Sequence, residues 1–206
     1  MPIPPPTPPR KPLSVVHQKL LPYRKSAVWL SIAVACVGGF EGLRQAAYVD
    51  PVGIPTICFG ETRGVVIGNT KTKDECRALL ASRLLEFDAM FRQCATPVVA
   101  DRLQPAQYAA YVSFLYNVGP GKHRVKDGFC VLKGKKDSQG VWSQPRESTM
   151  LRQLKEGNVL ASCNEFPKWA TGIGGIPLRG LTLRRAEERR MCLSGTEFTY
   201  SLGVGG

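Results

Sequence analysis

An apolar segment without charged residues runs directly into a glutamate, and a turn sequence follows a few positions later. The apolar segment is residues 26–40, the glutamate is Glu41, and the turn is the D-P-V-G of residues 50–53. This order predicts a helix that ends near Glu41 and is followed by a β-hairpin, because Asp-Pro and Gly favour turns. The chain therefore places two carboxylates, Glu41 and Asp50, at the junction between a helix and a hairpin.

Three polar side chains at this junction follow the spacing E-x8-D-x5-T: Glu41, Asp50 and Thr56. A carboxyl group against nonpolar surface is harder to ionise, as a general acid requires, and Glu41 follows the apolar segment. Asp50 at a turn is better solvated, and the Thr56 hydroxyl can return beside it across the hairpin. Two carboxylates in different surroundings are the minimum for cleaving a glycosidic bond. The spacing alone fits a surface Glu, a turn Asp and a strand Thr equally well.

The residues around this spacing resemble the catalytic signature of the T-even phage lysozyme family (glycoside hydrolase family 24), including a Gly after the Thr, here Gly60. Three later segments are also similar to the family: T-K-D-E-C-R-A-L-L (72–80), A-Y-V-S-F-L-Y-N-V-G (110–119) and G-G-I-P-L-R-G-L-T-L-R-R-A-E-E-R-R-M-C-L (174–193). The resemblance implies an α+β, lysozyme-like fold. A small β-hairpin lobe and a larger helical lobe would flank a cleft, and an apolar N-terminal helix would precede them.

The resemblance implies a muramidase that hydrolyses the β-1,4 bond between N-acetylmuramic acid and N-acetylglucosamine in peptidoglycan, for host lysis by a phage. Glu41 would protonate the leaving oxygen, while Asp50, helped by Thr56, would orient the attacking water. A water in that place implies inversion and a carboxyl separation of roughly 6.5–9.5 Å. The family match gives Tyr116 and Asn117 as substrate-binding residues, although a packed aromatic and a helix-end Asn fit the same positions. No metal or organic cofactor is needed, and we expect a monomer.

The charge balance is strongly basic, with a net charge of +12. A cationic surface suits a polyanion such as nucleic acid, anionic lipid or the bacterial cell wall. We do not expect nucleic acid as a partner, because the sequence has no zinc-finger spacing or aromatic RNA-binding motif, and its basic run at 184–190 contains acids. With two histidines in the chain, a zinc site also has too few ligands.

The N-terminal region divides into two parts. Residues 1–25 are rich in Pro and basic residues, and we expect a disordered tail. The apolar segment 26–40 can be the buried first helix of the enzyme, a cleaved signal peptide with its cleavage site at residues 33–35, or an uncleaved weak membrane anchor. Cleavage would remove the helix that holds Glu41. We favour the anchor, because the arrangement resembles phage endolysins with a signal-arrest-release segment.

That resemblance implies passage through the host secretion machinery, a transient tether to the host inner membrane, and then release into the periplasm of a Gram-negative bacterium. The lysozyme-like catalytic domain is expected over residues 41–196, with a flexible C-terminus over 197–206. Two other functions stay open. One is a virion-associated muramidase that acts at entry, and the other is a cell-wall-binding protein without catalysis.

Helical patterns dominate the chain after the hairpin region. Thr72 and Glu75 form a capping-box pattern, and apolar residues then recur at helical spacing. A core helix is predicted from Pro105 to Val118. Further helices are expected at about 147–156, 158–166 and 179–193, with an irregular polar insertion at 122–143 that lengthens one lip of the cleft. Trp169 is expected in the core.

The helical spacing also suggests one ion pair near the C-terminal end of the chain. Arg184 and Glu187 are three positions apart, and residues at this separation lie on the same face of a helix. We therefore expect them to pair, in a stabilising rather than a catalytic role.

Seven cysteines indicate disulfides in an oxidising compartment. Three internal bonds leave one thiol over, and Cys36 is the expected odd one because it lies in the proposed membrane segment. A core thiol is favoured for it over a thiol that exchanges with a disulfide near the site. The family fold packs the last two helical segments together, which implies the first of the three candidate pairs: Cys163–Cys192, Cys58–Cys76 and Cys94–Cys130.

Overall fold

The computed structural model of the protein describes residues 15–51, 53–172 and 175–200, with side chains described between residues 27 and 194 of these ranges. The predicted tail at positions 1–14 and the C-terminal positions 201–206 lie outside the described residues. In chain order the elements are α1 (Val15–Glu41), β1 (Arg44–Val49), β2 (Pro55–Cys58), α2 (Lys73–Ala95), α3 (Pro97–Arg102), α4 (Pro105–Val118), α5 (Thr149–Lys155), α6 (Val159–Cys163), a 3-10 helix (Phe166–Trp169) and α7 (Arg179–Tyr200).

The first helix is packed against the rest of the domain. It begins at Val15, so its backbone includes residues 15–25 of the segment expected to be disordered. Trp29, Ala33 and Val37, spaced by one helical turn, are buried, and the Trp29 ring lies 5.1 Å from the Tyr108 ring of α4. Among the described residues, no helix meets the length and hydropathy needed to cross a bilayer. In this structure, one face of residues 27–40 forms part of the hydrophobic core.

The helix ends at Glu41 because Gly42 adopts a positive φ of 69°. The hairpin that follows pairs β1 and β2 antiparallel, with Tyr48 opposite Thr56 and Val49 opposite Pro55. Its turn is the predicted D-P-V-G sequence: the Gly53 N–H donates to the Asp50 carbonyl at 3.0 Å. The first strand of the hairpin begins at Arg44.

Helix α4 is the centre of the helical lobe. Its bounds are those predicted from Pro105 and Gly119, and its middle is buried on every face. Helices α1, α2 and α7 pack around it. Beside it, a cluster of aromatic rings lies at centroid distances of 5.3–6.1 Å, formed by Phe91, Tyr111, Phe114, Phe129 and Phe166. An unbroken hydrophobic core therefore surrounds this helix.

At the start of α2 the structure confirms the predicted capping box, whereas the short helix after its end was not predicted. The capping box at its start is present: the Thr72 hydroxyl accepts from Glu75 N at 3.2 Å, and the Glu75 carboxylate accepts from Thr72 N at 2.7 Å. Sequence reasoning did not find α3, which starts at Pro97 directly after α2 ends. The Pro at its first position favours a new helix rather than a continued one.

The segment predicted as an irregular insertion is an ordered ribbon. Bridges Leu132–Arg146 and Lys136–Trp142 share one antiparallel register, and we call this ribbon the 132–146 hairpin. The Asp137 carboxylate closes its turn by accepting from Val141 N at 2.8 Å. Residues 122–143 thus contain no helix or regular strand, as predicted, and isolated backbone bridges hold this polar stretch together.

The protein has three disulfides: Cys58–Cys76 joins β2 of the hairpin lobe to α2, Cys94–Cys130 joins α2 to the segment before the 132–146 hairpin, and Cys163–Cys192 joins α6 to α7. These are the three pairs suggested by the sequence. Cys36 has a free thiol and is half-buried in α1.

Replacing Trp29 with Ala should destabilise the folded, oxidised protein by about 3–5 kcal/mol, the usual cost of removing a large buried aromatic side chain. Val28 is the matched control, because it precedes Trp29 on the same helix but is 48% exposed. Val28→Ala should stay within about 0.5 kcal/mol of wild type. Urea unfolding followed by tryptophan-independent circular dichroism measures both. Equal stabilities would show that α1 is not docked on α4.

Candidate active site

Glu41 lies where α1, the hairpin and α7 meet. Its carboxylate is 27% exposed, and Oε1 accepts a charge-assisted hydrogen bond from Arg184 Nη1 at 2.5 Å. Its second oxygen faces Gly60, where an added Cβ would lie 3.9 Å from Oε2. One oxygen is therefore fixed by α7, and the other lies beside the loop after β2.

A cleft of about 280 Å³ opens in front of this carboxylate. It is lined by Glu41, Phe59, Gly60, Arg83, Phe87, Tyr116 and Asn117. The structure thus brings together three residues that the sequence suggested separately: the candidate acid Glu41 and the candidate substrate-binding residues Tyr116 and Asn117.

Tyr116 joins the helical lobe to the hairpin side of the cleft. Its hydroxyl donates to the Phe59 carbonyl at 3.1 Å, and its ring contacts Phe87 edge-on at 5.2 Å. Burial, with smaller contributions from the negative charges of Glu41 and Glu61, raises the pKa of Tyr116 to about 12. The phenol therefore stays protonated at neutral pH. Tyr116 is both a packed aromatic and part of the cleft wall.

Asn117 is exposed at the end of α4 and borders the cleft. Its Oδ1 accepts from Arg185 Nη2 at 2.7 Å, which fixes the orientation of the amide. The amide nitrogen is then directed away from that arginine. An Asn held in this way can donate to a carbonyl or hydroxyl group in the cleft.

Asp50 and Thr56 are anchored on the backbone of the same residue, Ile54. The Asp50 carboxylate accepts from Ile54 N at 2.9 Å. The Thr56 hydroxyl, 3% exposed, donates to the Ile54 carbonyl at 3.0 Å. Both side chains are therefore anchored at the same residue of the hairpin. Neither lines the 280 Å³ volume next to Glu41.

A buried ionic network stands behind Glu41. Arg184 bridges two carboxylates, because its Nε also lies 3.2 Å from Glu188 Oε1. The Ser113 hydroxyl donates to the same Glu188 oxygen at 2.7 Å, and Arg184 Nη2 donates to the Ser113 carbonyl at 3.3 Å. Both Arg184 and Glu188 are buried. The network therefore connects α7 to the middle of α4 and to the last residue of α1.

Arg185 supplies a second positive charge to this network. Its Nε lies 3.1 Å from Glu188 Oε2, although no hydrogen bond forms between those two atoms. The guanidinium instead lies over the Phe114 ring at 4.7 Å, and this cation–π contact offsets part of the desolvation cost of burying the charge. Desolvation lowers the pKa of Arg185 to about 10 and raises that of Glu188. Arg185 still remains charged at neutral pH.

The predicted pairing of Arg184 with Glu187 was wrong. Glu187 pairs with Arg190 at 2.6 Å on the outer face of α7, whereas Arg184 pairs with Glu188 and Glu41. Arg184 has one possible partner three positions later, Glu187, and another four positions later, Glu188. Glu188 is buried and also accepts a hydrogen bond from Ser113, so Arg184 pairs with it. Sequence reasoning missed Arg184 as a site residue, although the spacing R-R-x-x-E on a predicted helix was the signal.

Two further side chains adjoin the site. The Cys36 sulfur is 3.7 Å from the Ser113 hydroxyl, so this thiol packs behind the network rather than in the cleft. Trp169, expected in the core, is half-buried: its ring contacts Phe114 edge-on at 5.4 Å, and it also lines a neighbouring groove.

The arrangement of these residues lies within a sequence that matches a known protein family. The phage lysozyme family model matches residues 38–188, a stretch that contains Glu41, the hairpin and the ionic network. The chain belongs to the phage lysozyme family. It is therefore a glycoside hydrolase of the muramidase type.

Named relatives cover most of the chain. The SAR-endolysin of bacteriophage PS119 is 33% identical over 160 residues, which are 77% of this chain and 80% of that protein. The SAR-endolysin of enterobacteria phage P21 is 32% identical over the same share of this chain and 81% of that protein.

Solved structures share the lysozyme fold. The active form of the P1 phage endolysin Lyz matches with a TM-score of 0.66 at 23% identity, over 89% of this chain and 96% of that one. A variant of P22 lysozyme matches with a TM-score of 0.59 at 28% identity, over 79% and 96%. The helices and the two-stranded sheet of this chain are thus arranged as in a lysozyme.

Arg184→Gln should lower kcat roughly 10-fold to 100-fold, because the carboxylate of Glu41 loses its fixed position. It should also destabilise the fold by about 3–5 kcal/mol, since Glu188 becomes a buried charge with fewer partners. Arg190→Gln is the control on the same helix, and it removes an exposed pair with Glu187. Initial rates and urea unfolding test both variants. Equal kcat values for the two would contradict a positioning role for Arg184.

Proposed function

We propose that this chain is a phage endolysin that hydrolyses the β-1,4 bond between N-acetylmuramic acid and N-acetylglucosamine in bacterial peptidoglycan. The observation that carries the proposal is the partly exposed Glu41 carboxylate, which Arg184 holds beside a cleft. The names of the relatives support a role in lysis of the host.

Glu41 is the proposed general acid. Arg184 holds Oε1, so Oε2 is the oxygen that can reach a glycosidic oxygen in the cleft. The loop at Gly60 leaves space beside Oε2, because no side chain projects from that residue. Protonation of the leaving oxygen by this carboxyl group starts the cleavage of the bond.

Asp50 and Thr56 are the proposed pair that orients the attacking water. Because the Thr56 proton is directed to the Ile54 carbonyl, the hydroxyl oxygen can accept a hydrogen bond. A water that donates one proton to Asp50 and the other to Thr56 directs a lone pair away from both residues. Attack by that water from the face opposite the leaving group inverts the anomeric carbon.

Tyr116 and Asn117 are the proposed substrate-binding residues. Tyr116 gives the cleft a rigid aromatic wall, because its hydroxyl is tied to the Phe59 carbonyl. Asn117 offers its amide N–H groups to the sugar. N-acetyl carbonyl groups on both sugars of the substrate are suitable acceptors for such a donor.

Glu41→Gln should abolish nearly all muramidase activity without unfolding the protein, because the amide is isosteric but cannot act as a general acid. Glu86→Gln is the matched control, as it changes an exposed glutamate on α2 that pairs with Arg63 and Arg83. Release of fragments from purified peptidoglycan gives the rates.

The products of the same digestion test the reaction itself. Wild-type fragments should carry muramic acid at the reducing end, with the α anomer seen first by proton NMR. Cleaved peptide or amide bonds would refute the muramidase assignment. An initial β anomer would refute the water-orienting role of Asp50 and Thr56.

We infer that segment 26–40 first serves as a weak, uncleaved membrane anchor and then becomes the docked part of α1. The segment has no charged residue, and the relatives are SAR-endolysins. Removal of the chain up to position 35 would delete Trp29 and Ala33, which are buried in the core. A core that needs these side chains supports retention of the segment after export to the periplasm.

During expression in a Gram-negative host the intact mass should persist, and the protein should divide between membrane and periplasm. Collapse of the proton gradient should move it to the soluble fraction. Ser31→Leu should increase the membrane-bound share, because it makes the segment more apolar at a position exposed on α1. Ser31→Ala is its control. A mature N-terminus at Cys36 would show that the segment is cleaved.

A further inference from the structure

Two consecutive arginines of α7, Arg184 and Arg185, contact different residues of the cleft. Arg184 holds Glu41 at the end of α1. Arg185 donates from Nη2 to Asn117 Oδ1 at 2.7 Å, near the end of α4. Glu188 is the counterion that both arginines share. One short stretch of α7 therefore contacts both the candidate acid and a candidate substrate-binding residue.

The hydrogen bond to Asn117 is shorter than the one that Arg185 makes to its counterion. Its Nη2 lies 3.5 Å from Glu188 Oε1, against 2.7 Å from the Asn117 oxygen. Arg185 is fully buried, whereas Asn117 is exposed and lines the cleft. A buried charge adds little to stability even when it is paired. The contact thus connects a buried guanidinium group to a side chain that a ligand in the cleft can touch.

The chemistry of arginine decides which way the Asn117 amide faces. A guanidinium group has only hydrogen-bond donors, so only the oxygen of the amide can be directed to it. The two N–H bonds of the amide nitrogen then face away from Arg185. An asparagine without this neighbour could present either its oxygen or its nitrogen to a ligand, whereas Asn117 presents a donor.

Arg185 also has a structural role, as the second counterion of Glu188 and as a cation over the Phe114 ring at 4.7 Å. A lysine could supply that charge. It could not supply the planar fork of a guanidinium group, in which Nε faces Glu188 while Nη2 reaches Asn117. The fork is therefore the feature that links the counterion role to the cleft.

We propose that Arg185 is a positioning residue of the muramidase, which holds Asn117 as a hydrogen-bond donor so that the cleft selects an acceptor atom on the sugar. The inference rests on the proposed function. Arg185 itself does not touch substrate, since it is fully buried. Arg184 orients the acid and Arg185 orients the donor, so the two arginines act on the chemical step and on binding respectively.

A double-mutant cycle between positions 185 and 117 tests the proposal. Arg185→Lys keeps the charge beside Glu188 and removes the fork, and Asn117→Ala removes the amide that the fork holds. Arg189→Lys is the matched control, because Arg189 on the same helix donates to Asn164 Oδ1 at 3.0 and 2.8 Å, and neither residue lines the cleft. Release of fragments from purified peptidoglycan gives KM and kcat for each variant.

Arg185→Lys should raise KM about 3-fold to 10-fold and keep kcat within about 2-fold of wild type, because the orientation of one hydrogen-bond donor is lost. Arg184 still holds Glu41 in this variant. Asn117→Ala should raise KM at least as far, and adding Arg185→Lys to it should change KM no further. Arg189→Lys should leave both constants unchanged.

Nitrogen-15 relaxation of the side-chain amides gives a readout that does not depend on catalysis. The Asn117 amide should be ordered in wild type and mobile in Arg185→Lys, while the Asn164 amide should become mobile only in Arg189→Lys. Asn117→Asp tests the donor with the buried arginine unchanged. Its carboxylate still accepts from Arg185 but presents no donor, so KM should rise. This variant also decides the question if Arg185→Lys fails to fold.

Three results would overturn the inference. If Arg185→Lys raises KM by the same factor in the Asn117→Ala background, Arg185 acts through packing or charge. If the Asn117 amide stays ordered in Arg185→Lys, the arginine does not hold it. If Asn117→Asp has the KM of wild type, the donor is not used. Failure of wild type to cleave peptidoglycan would refute the proposed function separately, because the relaxation of the amides is measured without substrate.

Discussion

The buried contact between Arg184 and Glu41 is the interaction on which the site depends. It joins residues 143 positions apart, one in the second turn of α7 and the other the last residue of α1. Burying a guanidinium group costs several kcal/mol unless its hydrogen bonds and charge are satisfied. Glu188 and the Ser113 carbonyl meet that requirement, which fixes α7 against α4. The position of the candidate acid is therefore set by the packing of three helices.

The composition of helix α1 meets the requirements of two roles, that of a core helix and that of the proposed membrane anchor. As the first helix of the domain it supplies Trp29, Ala33 and Val37 to the core. As the proposed anchor it must carry no charge between positions 26 and 40, and it carries none. Glu41 follows directly at its end. The acid can therefore reach Arg184 only when α1 is docked, so a membrane-inserted α1 and an assembled site exclude each other.

Local signals in the sequence identified the parts of the fold that local interactions determine. The capping box of α2, the Pro105 start of α4 and the D-P-V-G turn each depend on residues within one turn of chain. The pairing of Arg184 and the order of the 132–146 hairpin were not found. Arg184 combines a local partner, Glu188, with a distant one, Glu41, and helical spacing alone offers Glu187 as well as Glu188. The hairpin depends on backbone hydrogen bonds, which leave no periodic pattern in the side chains.

Buried, paired charges and exposed, unpaired charges lie in different parts of this protein. In the network behind Glu41, cations and carboxylates neutralise one another at low exposure, so added salt changes their interaction little. At the 840 Å³ groove beside Asn117, Lys126, Lys135 and Arg146 are exposed and form no ion pair within the described part of the chain, so screening over about 8 Å at physiological ionic strength acts on them directly. Salt should therefore weaken the capture of an anionic substrate before it disturbs the geometry of the acid. The network behind Glu41 sets two arginines against two carboxylates, so it adds little to the net charge of +12.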